Sequence, residues 1–321
     1  MNDEYDEYDI DITSLDRIVE YGSLEMVKYL VEKGADIHAQ NDYALRTSAK
    51  YGHLEIVKYL VEKGANVHAM DDFALRVSAE YGYLEVVKYL VDNGADIHAS
   101  EDWAFRVSAR NDRLQVVKYL LEKGADIHAK TDYALQFSAF FGHLDVVKFL
   151  VEKGANIHAD DCGGALCLGA RNGCLEIVEY MVAKGADVHV HDDRALCWSA
   201  ENGHLRVIKY LIAKGANVHA CNDHILVFSA KFGHLDVLEY LLYEVCYGKT
   251  NDFEYKYNLI QNTQGVSYFT EEYHRRRRIQ TELASVFSRH SARLQLRPSS
   301  LRVRWIAIYF GKHFQDREYW E

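Results

Sequence analysis

Residues 43–69 read YALRTSAKYGHLEIVKYLVEKGANVHA, and their last ten, LVEKGANVHA, nearly copy LVEKGADIHA at 30–39 and LVDNGADIHA at 90–99. The glycine of that stretch returns at Gly34, Gly64, Gly94, Gly124, Gly154, Gly185 and Gly215, at spacings of 30 residues with a single 31. A fixed period of this length marks a chain of stacked supersecondary units rather than one or two globular domains.

Each unit carries two helical signals. In the first, Tyr43 to Tyr51, the small or apolar residues Ala44, Leu45, Ser48 and Ala49 fall on one helix face, and their size lets neighbouring helices approach closely. In the second, Leu54 to Lys63, Leu54, Val57, Leu60 and Val61 share one side, with Lys58 and Glu62 outside and Gly64 as a left-handed C-terminal cap. Asp42 precedes the first segment, as do Asp72, Asp102, Asp132, Asp193 and Asp223 in their units, and each is expected to cap free N–H groups there. A pair of helices about ten residues long cannot bury its apolar face alone, so the units must stack. The fold class read from this pattern is an all-α helical solenoid of about eight units.

GHLEIVKYLVEKGANVHA at 52–69 resembles the second half of an ankyrin repeat, and SAKYGHL at 48–54 resembles the junction between that repeat's two helices. The resemblance covers 11–246, leaving an acidic N-terminal tail at 1–10 and a basic, partly helical C-terminal segment of unassigned fold at 247–321. Ankyrin repeats usually run about 33 residues and carry a TPLH motif. Here YALR, FALR, WAFR and YALQ stand in its place, and the three missing residues fall where the family's projecting hairpin tip sits. Blunt tips are expected, with some other hydrogen-bond network joining the repeats. The 30-residue unit ending GADIHA is similar to the ankyrin arrays of giant DNA viruses of amoebae.

Residues 247–321 hold 13 Lys and Arg against 8 Asp and Glu, a net +5, which leaves 24 against 40, or −16, for residues 1–246. No apolar run approaches the roughly 18 residues that span a bilayer, and the first residues lack the basic-then-apolar order of a signal peptide. An intracellular protein without a membrane partner is expected, in the host cytoplasm under the viral resemblance, with the nucleus as the other address. The six cysteines, all between Cys162 and Cys246, lack CxxC spacing and read as buried reduced thiols. No catalytic motif, metal-ligand cluster or cofactor loop is present, so neither an enzyme nor a cofactor is expected.

Four features are weighed as candidates for function. A histidine recurs at His38, His68, His98, His128, His158, His189 and His219, one per unit, which is too sparse for a metal site and reads as a structural turn residue. Tyr43, Phe73, Trp103 and Tyr133 form an aromatic column that replaces the missing TPLH contacts or faces a partner. The two residues that close each inner helix vary inside an otherwise copied unit, and in ankyrin repeats these positions line the concave groove. The resemblance and this variation single out Tyr51, Tyr81, Arg110, Phe140 and Phe141, which with Trp103 and Tyr133 of the column make up the expected partner-binding set. Arg275, Arg276, Arg277 and Arg278 form a basic patch that invites a nucleic-acid reading. Binding of a protein partner, host-derived under the viral resemblance, is the leading function. A substrate adaptor for a larger complex such as a ubiquitin ligase, or nucleic-acid binding through the tail, are the alternatives.

Overall fold

The computed structural model describes residues 13–159, 164–219 and 224–241, and the chain divides into two compact units, Met1–Ile225 and Leu226–Glu321. The N-terminal tail, the basic patch and residues 242–321 lie outside the described residues. The helices run in order as pairs: α1 (Thr13–Tyr21) with α2 (Leu24–Glu32), α3 (Ala39–Tyr51) with α4 (Leu54–Glu62), and α5 (Ala69–Tyr81) with α6 (Leu84–Asp92). There follow α7 (Ala99–Arg110) with α8 (Leu114–Glu122), α9 (Ala129–Phe141) with α10 (Leu144–Glu152), and α11 (Gly164–Arg171) with α12 (Leu175–Ala183). Last come α13 (Val190–Glu201) with α14 (Leu205–Ala213), then α15 (His224–Lys231) with α16 (Leu235–Tyr240). Among the described residues there is no strand.

From α1 to α11 each inner helix packs on the inner helix of the next pair, and from α1 to α13 each packs on its own outer partner. Ala44, Leu45, Ser48 and Ala49 are buried as their spacing predicts, and each Ser hydroxyl in this position donates to the carbonyl three residues back, as Ser48 Oγ does to Leu45 O at 2.9 Å. A hydroxyl satisfied inside its own helix can face a neighbour at close range without an orphaned polar group. The outer helices differ from expectation by a small rotation. Their buried stripe is Ile56, Val57 and Leu60, while Leu54 and Val61 flank it half-buried.

The short unit is accommodated by an unusual turn. Gln40, Asn41 and Asp42, at φ/ψ of 52/42, 58/58 and 55/44, form a left-handed turn in front of the regular part of α3. The same turn precedes α5, α7, α9 and α13. Left-handed geometry costs an L-residue about 1–2 kcal/mol, so three in a row must be held by their surroundings. Four bonds do this. The buried Asp42 carboxylate accepts from His38 Nδ1 at 3.0 Å and from the main-chain N–H of Asn66, in the following turn, at 2.8 Å. Arg46 then donates from Nε to Asn41 O at 2.9 Å and from Nη2 to Gln40 O at 2.7 Å.

This arrangement corrects the expected role of the aspartates. Asp42, Asp72, Asp102, Asp132 and Asp193 do not cap the inner helix; like Asp42, the other four accept from an N–H 24 residues on, that of Asp96, Asp126, Asn156 and Asn217, at 2.7–3.0 Å, while Asp223 lies outside the described residues. The turn histidine orients the carboxylate, and the carboxylate carries the link to the next turn. Ser100 with Asp71, and Lys130 with Glu101, add side-chain links between successive turns. A second histidine set reaches backwards: Nε2 of His53, His143 and His204 bonds the carbonyls of Glu20, Arg110 and Arg171 at 2.8–3.1 Å. That ring lies over a left-handed glycine, and a Cβ on Gly22 would come within 2.5 Å of His53 Cε1. Asp112 occupies the equivalent position at φ 61, 4.0 Å from His143 Nδ1.

DDCGGALCLGA at 160–170 breaks the copied unit with one extra residue, two adjacent glycines and no capping aspartate, which predicts a local bend; its residues 160–163 lie outside the described residues. The expectation of reduced thiols is met at Cys167 and Cys174 but not at Cys197, which is disulfide-bonded.

On the outer helices Tyr59, Tyr119 and Tyr180 bury their hydroxyls without a hydrogen-bond partner, and burial pushes the Tyr180 phenol above its ordinary pKa. Phe149 occupies the same place in α10. Tyr180→Phe is therefore expected to leave stability unchanged or raise it by up to about 1 kcal/mol, because it removes a desolvated group that gains nothing. A urea titration showing a clear loss would reveal a partner for that hydroxyl.

Candidate protein-binding surface

The surface is built from the starts and ends of the inner helices. At their starts, the aromatic column and the arginines that hold the turns interleave. Arg46 Cζ lies 5.5 Å from the ring centres of both Tyr43 and Phe73, and Arg106 Cζ lies 5.1 Å from Trp103 and 5.2 Å from Tyr133. Both guanidiniums sit between rings of successive pairs, so the column stacks through cation–π contacts. Burial pushes the Arg106 guanidinium below the ordinary arginine value. The column's rings are half-buried. They replace the missing family motif, which accounts for the arginine of YALR, FALR and WAFR.

The pattern changes in α9. Gln136 takes the arginine's place and donates Nε2 to Thr131 O at 2.7 Å, so the turn is still held. The space over the ring is filled by Phe137, stacked on Tyr133 with centroids 4.0 Å apart. Phe137 meets Phe140 at 6.4 Å, and Phe140 meets Phe141 edge to face at 5.0 Å. Arg110 closes the series, its Cζ 5.3 Å from the Phe141 ring. Trp103, Arg106, Tyr133, Phe137, Phe140, Phe141 and Arg110 thus form one continuous chain of side-chain contacts.

Five of the seven residues expected to bind a partner fall in this chain: Trp103, Arg110, Tyr133, Phe140 and Phe141. Tyr51 and Tyr81 occupy the place of Phe141 in earlier pairs and stack on His53 and Tyr83, at 6.1 and 6.2 Å. Tyr21 is the equivalent residue of α1, and all three tyrosines are exposed. Phe141 is 41 % exposed, whereas Phe140 is half-buried against Phe137. Reading the sequence missed Phe137 and Arg106. The available signal was the loss of arginine at Gln136 together with the gain of an aromatic at Phe137, where earlier units have Thr47, Val77 and Val107.

The stacked helix pairs are those of ankyrin repeats, and the family's profile, "Ankyrin repeats (3 copies)", matches residues 13–101, 105–192 and 166–252. The chain belongs to the ankyrin-repeat family. Ankyrin repeats generally mediate protein–protein interaction. No curated protein gives a significant match to the chain.

Proposed function

We propose that this chain binds a protein partner on the face where its inner helices end, centred on Phe140 and Phe141 with Trp103, Arg110 and Tyr133 around them. The carrying observation is the 41 % exposure of Phe141, a large ring that keeps this exposure although Arg110 lies 5.3 Å from its centre and His143 stacks on it at 6.2 Å. Aromatic and arginine side chains at the centre of a contact are the residue types that dominate interface energies. A stacked array needs little ordering on association, so little binding free energy is lost to entropy. Tyr51 and Tyr81 extend the same face toward the start of the chain. The resemblance of the short unit to viral arrays supports a host protein as the partner, met inside the cell. The adaptor and nucleic-acid readings depend on residues 247–321, outside those described.

Changing Phe140 and Phe141 together to alanine is expected to weaken partner binding roughly thirtyfold, the equivalent of about 2 kcal/mol. The melting temperature should fall by no more than a few degrees, since neither ring is fully buried. Capture of cellular proteins on the wild-type and doubly substituted chains, followed by titration of any protein lost by the variant, measures this. Equal capture by both places the partner elsewhere.

A further inference from the structure

Arg110 is unlike the other arginines of the inner helices near it. Arg46, Arg76 and Arg106 each donate to carbonyls of a left-handed turn, and Arg113 donates from Nε to Glu80 O at 3.2 Å. Arg110 makes neither a side-chain hydrogen bond nor an ion pair among the described residues, and its Nε is buried without a partner. Arg110 and Phe141 therefore offer an unpaired cation beside a part-exposed aromatic ring. Charge assistance makes a carboxylate the best acceptor for that fork. The surrounding array disfavours a run of acids, because residues 1–246 carry a net −16 and the nearby Asp112 adds to that field.

We infer that the partner presents a single carboxylate flanked by an apolar side chain, the carboxylate on the Arg110 guanidinium and the apolar group on Phe141 and Phe140. This inference rests on the proposed binding face and adds the chemistry of its occupant. Cation and ring then act together. Phe141 holds the guanidinium in place and supplies the apolar area, while the carboxylate satisfies N–H groups that the fold leaves open.

The test is a selection of short random peptides on the full chain, with the enriched peptides then synthesised and titrated. Enrichment of one Asp or Glu next to an apolar residue is expected. Arg110→Glu should weaken those peptides roughly tenfold or more and shift a fresh selection toward Lys or Arg, while Arg110→Gln should weaken them less. Thermal melts of both variants establish that each is folded, and the milder Gln variant remains informative if the Glu variant is not. Peptides that lose binding with Phe140→Ala/Phe141→Ala but ignore both Arg110 variants overturn the carboxylate and leave the face standing. Peptides indifferent to the double alanine variant, or no enrichment at all, overturn the face and the inference together.

Discussion

Asp102→Ala is expected to destabilise the array by about 2–4 kcal/mol, although Asp102 touches neither a helix core nor a ligand. The Asp102 carboxylate is buried, accepts from His98 Nδ1 at 3.0 Å, and accepts from the Asp126 N–H of the following turn at 2.9 Å. Alanine orphans both donors. It also leaves Ser100, Glu101 and residue 102 in left-handed geometry, at φ 51, 58 and 57, with the Arg106 bonds to Glu101 O and Ser100 O but no carboxylate to hold them there, and alanine tolerates that geometry less well than aspartate. Asp102→Asn keeps an acceptor oxygen and should cost less than half as much. Stability in a stacked array is close to a sum of unit terms and nearest-neighbour interface terms. Weakening one interface in the middle should therefore also broaden the urea transition or split it in two. A sharp transition at an unchanged midpoint would show that the turn is held by helix packing alone.

A loss of about 3–5 kcal/mol is expected for Phe105→Ala, for a different reason. Phe105 is the largest of the fully buried side chains, at 0 % exposure, in a position where α3, α5 and α9 carry Leu45, Leu75 and Leu135. Alanine would leave a cavity on the buried face of α7, where Ala104, Ser108 and Ala109 beside it are too small to close it. Phe105→Leu restores the residue used elsewhere in the array and should cost less than about 1.5 kcal/mol. Comparing the two by urea denaturation separates a cavity cost from an aromatic requirement. If leucine is as damaging as alanine, Phe105 is held by shape specific to its own pair.

The repeat, the helix pairs and the small inner face were legible in the sequence because each depends on spacing along a short stretch. A period near 30 with a glycine at a fixed place forces stacking, and Ala44, Leu45, Ser48 and Ala49 declare one helix face through their intervals. Tyr51, Tyr81, Arg110, Phe140 and Phe141 of the proposed binding face were singled out the same way, as variation inside a copied unit, and Trp103 and Tyr133 as members of the aromatic column. Folding alone decided what the aspartates and arginines do. Nothing in AQNDYALR indicates three left-handed residues, since that conformation is unfavourable locally and exists only because Arg46 reaches two carbonyls and Asp42 reaches Asn66, 24 residues away. Phe137 escaped notice for a related reason, because its place on Tyr133 opens only when Gln136 no longer fills the space as arginine does. Local periodicity is written in the chain, whereas bonds that join one turn to the next and rings that stack across pairs come into being when distant residues are brought to the same place.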